Sequence, residues 1–254
     1  MQSDLAARTS DNARLPAAPA WRSEIWFRMR HLFLLKLAGT SVFIWLFFIA
    51  YFHLLRHPAQ PPMVMPLTPL DHWIPFQPKT LFAYLSLWLY VGVAPGLQRS
   101  FRELLVYGVW AVTLCVAGLT VFYLWPTAVP ALTIDVSGYP GFAMLQGVDA
   151  TGNAFPSMHV AIAMFTVIHL ESVFRDTCSP ALFRWLNFLW FAAIVWSTLA
   201  IRQHVVLDVV GGSVLGLLFA WASLRWRPRP LRLSSNFMTE RADRPPAAPT
   251  RKAP

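Results

Sequence analysis

Six stretches of this 254-residue chain are apolar over about the ~20 residues a helix needs to cross a bilayer. They run from about Phe33 to Leu54, Leu81 to Gln98, Leu104 to Trp125, Pro156 to Phe174, Phe183 to Ile201 and His204 to Trp226. In hydrocarbon each backbone N–H and C=O must be satisfied within its own segment, so each run is expected to be an α-helix. The expected fold class is therefore all-α, a polytopic bundle of six transmembrane helices. With 56% hydrophobic and 13% charged residues, the chain is too apolar for an ordinary soluble domain. Lys36, Gly92 and Pro95 interrupt the first two runs, which neighbouring helices can accommodate.

The net charge of +9 is distributed by side of the membrane. With a cytoplasmic N-terminus, seventeen Lys and Arg fall on inside segments and three, Arg56, Lys79 and Arg202, on outside ones, with Lys36 left within a helix. That asymmetry fits six crossings with both termini cytoplasmic. It also speaks against nucleic acid as a partner, which calls for a folded basic face with stacking aromatics. The expected organisation is a disordered basic arm over residues 1–30, a membrane domain over 31–226 and a disordered Pro/Arg-rich tail over 227–254. The first apolar run starts too late and is too long for a cleavable signal, and is expected to remain as an anchor. Cys115 and Cys178 are read as free thiols.

Two segments carry polar residues where apolar ones would be cheaper. In "NAFPSMHVAIAM", Asn153 to Met164, His159 opens the fourth run; in "STLAIRQHVVLDVVGG", Ser197 to Gly212, His204 and Asp208 open the sixth. Both runs cross from outside to inside, so the three residues share one depth at the outer face. Ionisable groups inside a membrane domain are costly and mark function. Asp208 follows His204 by four residues, on the same helix face, where a carboxylate can fix the imidazole tautomer. Ser157 can cap the fourth helix, whose positive end then suits a phosphate.

These segments resemble the type 2 phosphatidic acid phosphatase superfamily. Its second motif, Pro-Ser-Gly-His, stands here as "PSMH", Pro156 to His159, with Met158 in place of glycine. Its third, Ser-Arg, five residues, His, three residues, Asp, is matched in spacing by Ser197, Thr198, "LAIRQ", His204, "VVL" and Asp208, with Thr198 in place of arginine. The resemblance covers roughly Pro66 to Trp226 and includes "PLDHWIPFQP", Pro69 to Pro78. The first motif, a lysine and an Arg-Pro pair, is not recognisable at "YLWPTAVP", Tyr123 to Pro130. "FPSMH" with "RQHVVLD" is also similar to the branch of inositol phosphorylceramide and sphingomyelin synthases, as is the loop "DVSGYPGF", Asp135 to Phe142.

The resemblance implies an integral, multi-pass enzyme acting on a membrane lipid from the outer face, in the inner membrane if the source is bacterial. It implies no cofactor and no metal. His204 would be the nucleophile, Asp208 its orienting carboxylate and His159 the acid and base. Ser157, Met158 and the N–H groups after them would hold phosphate, with Arg202 and Lys79 replacing the missing basic clamp. Phosphate release from a lipid phosphate or diphosphate is the first reading, head-group transfer the second, and non-catalytic binding or transport the third. His169 is read as a packed polar residue, His53, His57 and His72 as interfacial, and Gly212 and Gly216 as sites of close helix packing.

Overall fold

The computed structural model describes residues 21–131, 138, 139, 141 and 152–227. The expected arm up to residue 20, the tail from residue 228 and most of the Asp135–Phe142 loop lie outside the described residues. In chain order the elements are α1 Trp21–Arg30, α2 Phe33–Arg56, β1 Met63–Val64, α3 Pro69–Trp73, a 3₁₀ turn Pro78–Thr80, α4 Leu81–Leu85, α5 Leu87–Gly96 and α6 Phe101–Leu124. These are followed by β2 Thr127–Ala128, α7 Met158–Asp176, α8 Ala181–Ala200 and α9 Val206–Trp226. The chain is mostly helical, and five helices, α2, α6, α7, α8 and α9, are long and apolar enough to cross a membrane.

The remaining run, Leu81 to Gln98, is split at Ser86 instead of forming one long helix. Ser86 Oγ donates to Ala83 O at 2.7 Å and accepts the Trp190 indole N–H at 2.9 Å. Serine back-bonding of this kind bends a helix. The ladder nevertheless passes through the joint, from Ser86 N–H to Phe82 O and from Tyr90 N–H to Ser86 O. Residues 81–96 rise about 24 Å, short of the ~30 Å hydrocarbon core.

Two further details depart from the sequence reading. Residues 21–30, assigned to the arm, form α1, because Arg28 is buried between Glu24 Oε1 at 2.9 Å and Leu97 O at 3.3 Å. The fold is also not purely helical: β1 and β2 pair in parallel, and Ala128 bridges Gly152 just ahead of α7. Lys36 is explained by the same corner, since its ammonium caps two helix ends, at Arg28 O (2.6 Å) and Gly96 O (2.9 Å).

Of the five long helices, α7 is the most buried and α2 the least. The core around it includes Leu87, Tyr90, Leu114, Phe122, Phe165 and Ile194. α9 lies directly against α7 through glycines, as the small-xxx-small spacing suggests. A Cβ on Gly212 would fall on Ser157 O, and one on Gly216 on Ala161 O. At the far end of these helices a charged network ties the bundle together. Arg227 reaches Asp176 (2.7 Å) and Glu103 (3.5 Å), and Glu171 takes Arg175 (2.7 Å) and Arg184 (2.6 Å). His169 is packed and bonded as expected, to Phe165 O at 2.8 Å and Ser223 Oγ at 3.0 Å.

The glycine contacts make a direct prediction. Gly212→Ala is expected to cost roughly 1–3 kcal/mol by overpacking and to lower the unfolding temperature in detergent. Gly92→Ala, where a Cβ meets open space, is expected to leave it unchanged or raise it.

Candidate active site

The N-terminal ends of α7 and α9 lie side by side, joined by Ser157 N–H to Asp208 O at 3.0 Å. His159 is the second residue of α7; His204 precedes α9 by two residues. Their rings face each other, with His204 Nε2 3.5 Å from His159 Nδ1. On its other side His204 Nδ1 lies 3.4 Å from Asp208 Oδ2. That is longer than a formed hydrogen bond, and His204 Nδ1 and Asp208 Oδ1 are both buried without a hydrogen-bond partner among the described residues. A small ring movement closes this contact. Asp208 itself is fixed, fully buried, with Oδ2 accepting the Val205 N–H at 3.0 Å.

The two helix ends differ electrostatically. At α9 the first N–H groups are taken by carboxylates, Val205 by Asp208 and Val206 by Asp71 Oδ1 at 2.8 Å. At α7 the cap is neutral: Ser157 Oγ accepts from Val160 N–H at 3.3 Å. The positive end of α7 is therefore the one left to attract an anion. Met158 contributes backbone here, since its side chain is turned into the core against Gly118. Upstream, Thr127 aligns the approach to α7, its Oγ1 accepting Phe155 N–H at 2.8 Å. Tyr84 of α4 packs against His159, its ring tilted by 31° with centroids 4.6 Å apart, and Trp88 of α5 lies at 6.1 Å.

His159, His204, Asp208 and Ser157 are thus brought together. Arg202 is placed otherwise. Its Nη1 and Nη2 donate to Asp71 O and Ile74 O, each at 2.7 Å, so its guanidinium is anchored on backbone carbonyls instead of presented as a free phosphate clamp. The backbone explains why. Ile201 ends α8, Arg202 N–H bonds Leu199 O and Gln203 N–H bonds Thr198 O, the pattern of a Schellman cap with its left-handed residue at Arg202, φ 60°. Glycine is usual there; an L side chain costs roughly 1–2 kcal/mol, which the two charge-assisted bonds offset. Lys79 sits exposed on the 3₁₀ turn. Thr198 is buried, and its carbonyl accepts the His204 N–H at 3.1 Å.

The family model of the PAP2 superfamily matches residues 79–222. The chain belongs to that superfamily. Comparison with curated proteins and with solved structures gave no match. The PAP2 assignment covers both histidine segments, while α1 to α3 lie outside the matched region. Sequence reasoning missed three parts of this PAP2 site: Asp71 on α9, Tyr84 on His159 and the Thr198 carbonyl on His204. Only Asp71 had a signal, in Thr68-Pro-Leu-Asp71, where Asp71 Oδ2 accepts both Thr68 N–H and Thr68 Oγ–H at 2.7 Å as a helix cap.

The α7 cap can be tested alone. Ser157→Ala is expected to destabilise the PAP2 bundle by about 1 kcal/mol, read by thermal unfolding.

Proposed function

We propose that this protein is a lipid phosphatase that hydrolyses a lipid phosphate or diphosphate without metal, through a phosphohistidine on His204. PAP2 membership supports phosphatase-type chemistry on a membrane-embedded helical frame. The observation that carries the reading is the paired imidazoles at one end of an apolar cavity of about 1040 Å³. That cavity runs between α2, α5 and α6, from Lys36 and Phe101 at the far end to Asn153, His159 and His204. A hydrocarbon tail in it leaves the phosphate at the imidazoles.

In this scheme His204 Nε2 attacks phosphorus as the bond to the leaving oxygen breaks, and His159 protonates that oxygen. Asp208 holds the Nδ1 proton and stabilises the imidazolium. Water then attacks phosphorus, giving its proton to His159, and the P–N bond breaks. No phosphoryl group fits between nitrogens 3.5 Å apart, so substrate has to displace one ring from the other. The positive end of α7, with Ser157 and the Met158 N–H, holds the phosphate oxygens. Lys79 would act only by reaching in from the surface.

We read the molecule as six crossings, with α4 and α5 together as a short kinked second span. Both ends are cytoplasmic and the site faces outward, in the inner membrane if the source is bacterial. The arginine distribution supports this, with the ionic network at one end of α7 and the imidazoles at the other. Head-group transfer to a lipid hydroxyl remains the second reading, since the cavity wall that takes one tail can take an acceptor's.

The test is phosphate release in detergent with chelator, from phosphatidic acid, phosphatidylglycerol phosphate and undecaprenyl diphosphate. Release from at least one is expected, with loss in His204→Ala and a roughly 10²–10⁴-fold drop in kcat in Asp208→Asn. No release, with label moving from a phospholipid donor to a ceramide acceptor, would replace hydrolysis by transfer. Neither reaction, with lipid phosphate still bound, would leave a binder or transporter.

A further inference from the structure

We propose that Asp71 and Arg202 are positioning residues that together clamp the His204 loop onto α3. This rests on the reading of His204 as the nucleophile. The loop from Ile201 to Val205 joins α8 to α9. Four hydrogen bonds stitch it and its flanks to residues 71–77. Arg202 Nη1 donates to Asp71 O and Nη2 to Ile74 O, both at 2.7 Å; Val206 N–H donates to Asp71 Oδ1 at 2.8 Å; Gln77 N–H donates to Ala200 O at 2.9 Å. His204 lies between the two clamped points, two residues from each.

Asp71 is built for this role. Its side chain is 2% exposed, and its two oxygens serve opposite sides, Oδ2 its own helix cap at Thr68 and Oδ1 the first N–H of α9. Arg202 takes a backbone conformation that favours glycine and is held there by the segment it clamps. The interactions therefore specify where the loop sits at the expense of local backbone comfort. With His204 Nδ1 3.4 Å from Asp208 Oδ2, a shift of a fraction of an ångström decides whether that bond forms. Neither Asp71 nor Arg202 needs to touch substrate to control the reaction.

Arg202→Gly separates positioning from stability, because glycine suits the left-handed position while removing both bonds. The expected result is an unfolding temperature unchanged or raised, with kcat lowered about ten-fold or more and KM within about two-fold. Asp71→Ala should lower kcat likewise, with some loss of unfolding temperature because the Thr68 cap goes with it, and Asp71→Asn, which keeps a carbonyl oxygen for Val206 N–H, should recover part of kcat. A folded Arg202→Gly with wild-type kcat overturns the proposal. So does a loss of activity in both Asp71 variants that only follows their loss of unfolding temperature.

A second readout does not depend on turnover. Carbethoxylation by diethyl pyrocarbonate, followed by mass spectrometry, gives the reaction rate of His204 against His159. In Arg202→Gly and Asp71→Ala the His204 rate is expected to change several-fold while that of His159 holds; equal rates in wild type and variants overturn the clamp. If wild type turns over none of the lipids, the phosphatase reading fails, and this labelling still decides the positioning claim.

Discussion

The contact on which the site depends is the close approach of α7 and α9. Two glycines on one face of α9, Gly212 and Gly216, let its backbone lie on the carbonyls of Ser157 and Ala161. At that separation Ser157 N–H reaches Asp208 O, and the two helix ends come level. His159 and His204, 45 residues apart in sequence, then meet. Van der Waals packing is what can hold helices together where lipid removes the hydrophobic drive between them.

Around that contact the polar groups divide by task. At the histidine end they take the first N–H groups of α9 and cap α7 with a neutral serine; at the far end they pair with one another. Glu171 pairs with Arg175 and Arg184, and Arg227 with Asp176 and Glu103, while Glu171 Oε2 and Arg227 Nε stay buried without a partner among the described residues. At the histidine end, among the described residues, His204 Nδ1 and Asp208 Oδ1 are buried without a partner, and such groups are costly to keep in a core.

Much of this was legible in the chain. Hydropathy and length located the long helices to within a few residues, and the spacing put His204 near Asp208, although His204 stands on the loop two residues ahead of α9 and not on its face. Shared helix direction put His159 at their depth. What was not legible came from interactions without a local pattern. The break at Ser86 depends on Trp190, over a hundred residues away. Arg202 looked like a phosphate ligand because nothing in "IRQH" reveals a Schellman cap or carbonyls of residues 71 and 74 in reach. Helix α1 falls in the expected arm because that stretch lacks hydrophobic periodicity; it folds by burying Arg28 against Glu24 and the carbonyl of Leu97, which caps the end of α5.

The central claim is that His204 takes the phosphoryl group, with His159 serving as acid and base. The most direct measurement is rapid quenching of the protein with lipid carrying labelled phosphate, under alkaline conditions that preserve a phosphoramidate, followed by mass-spectrometric mapping of the modified residue. The account predicts a transient phosphate on His204, none on His159, and accumulation when His159 is replaced by a residue that cannot activate water. Phosphate on His159 instead, or full turnover with no modified histidine at any time, would contradict it.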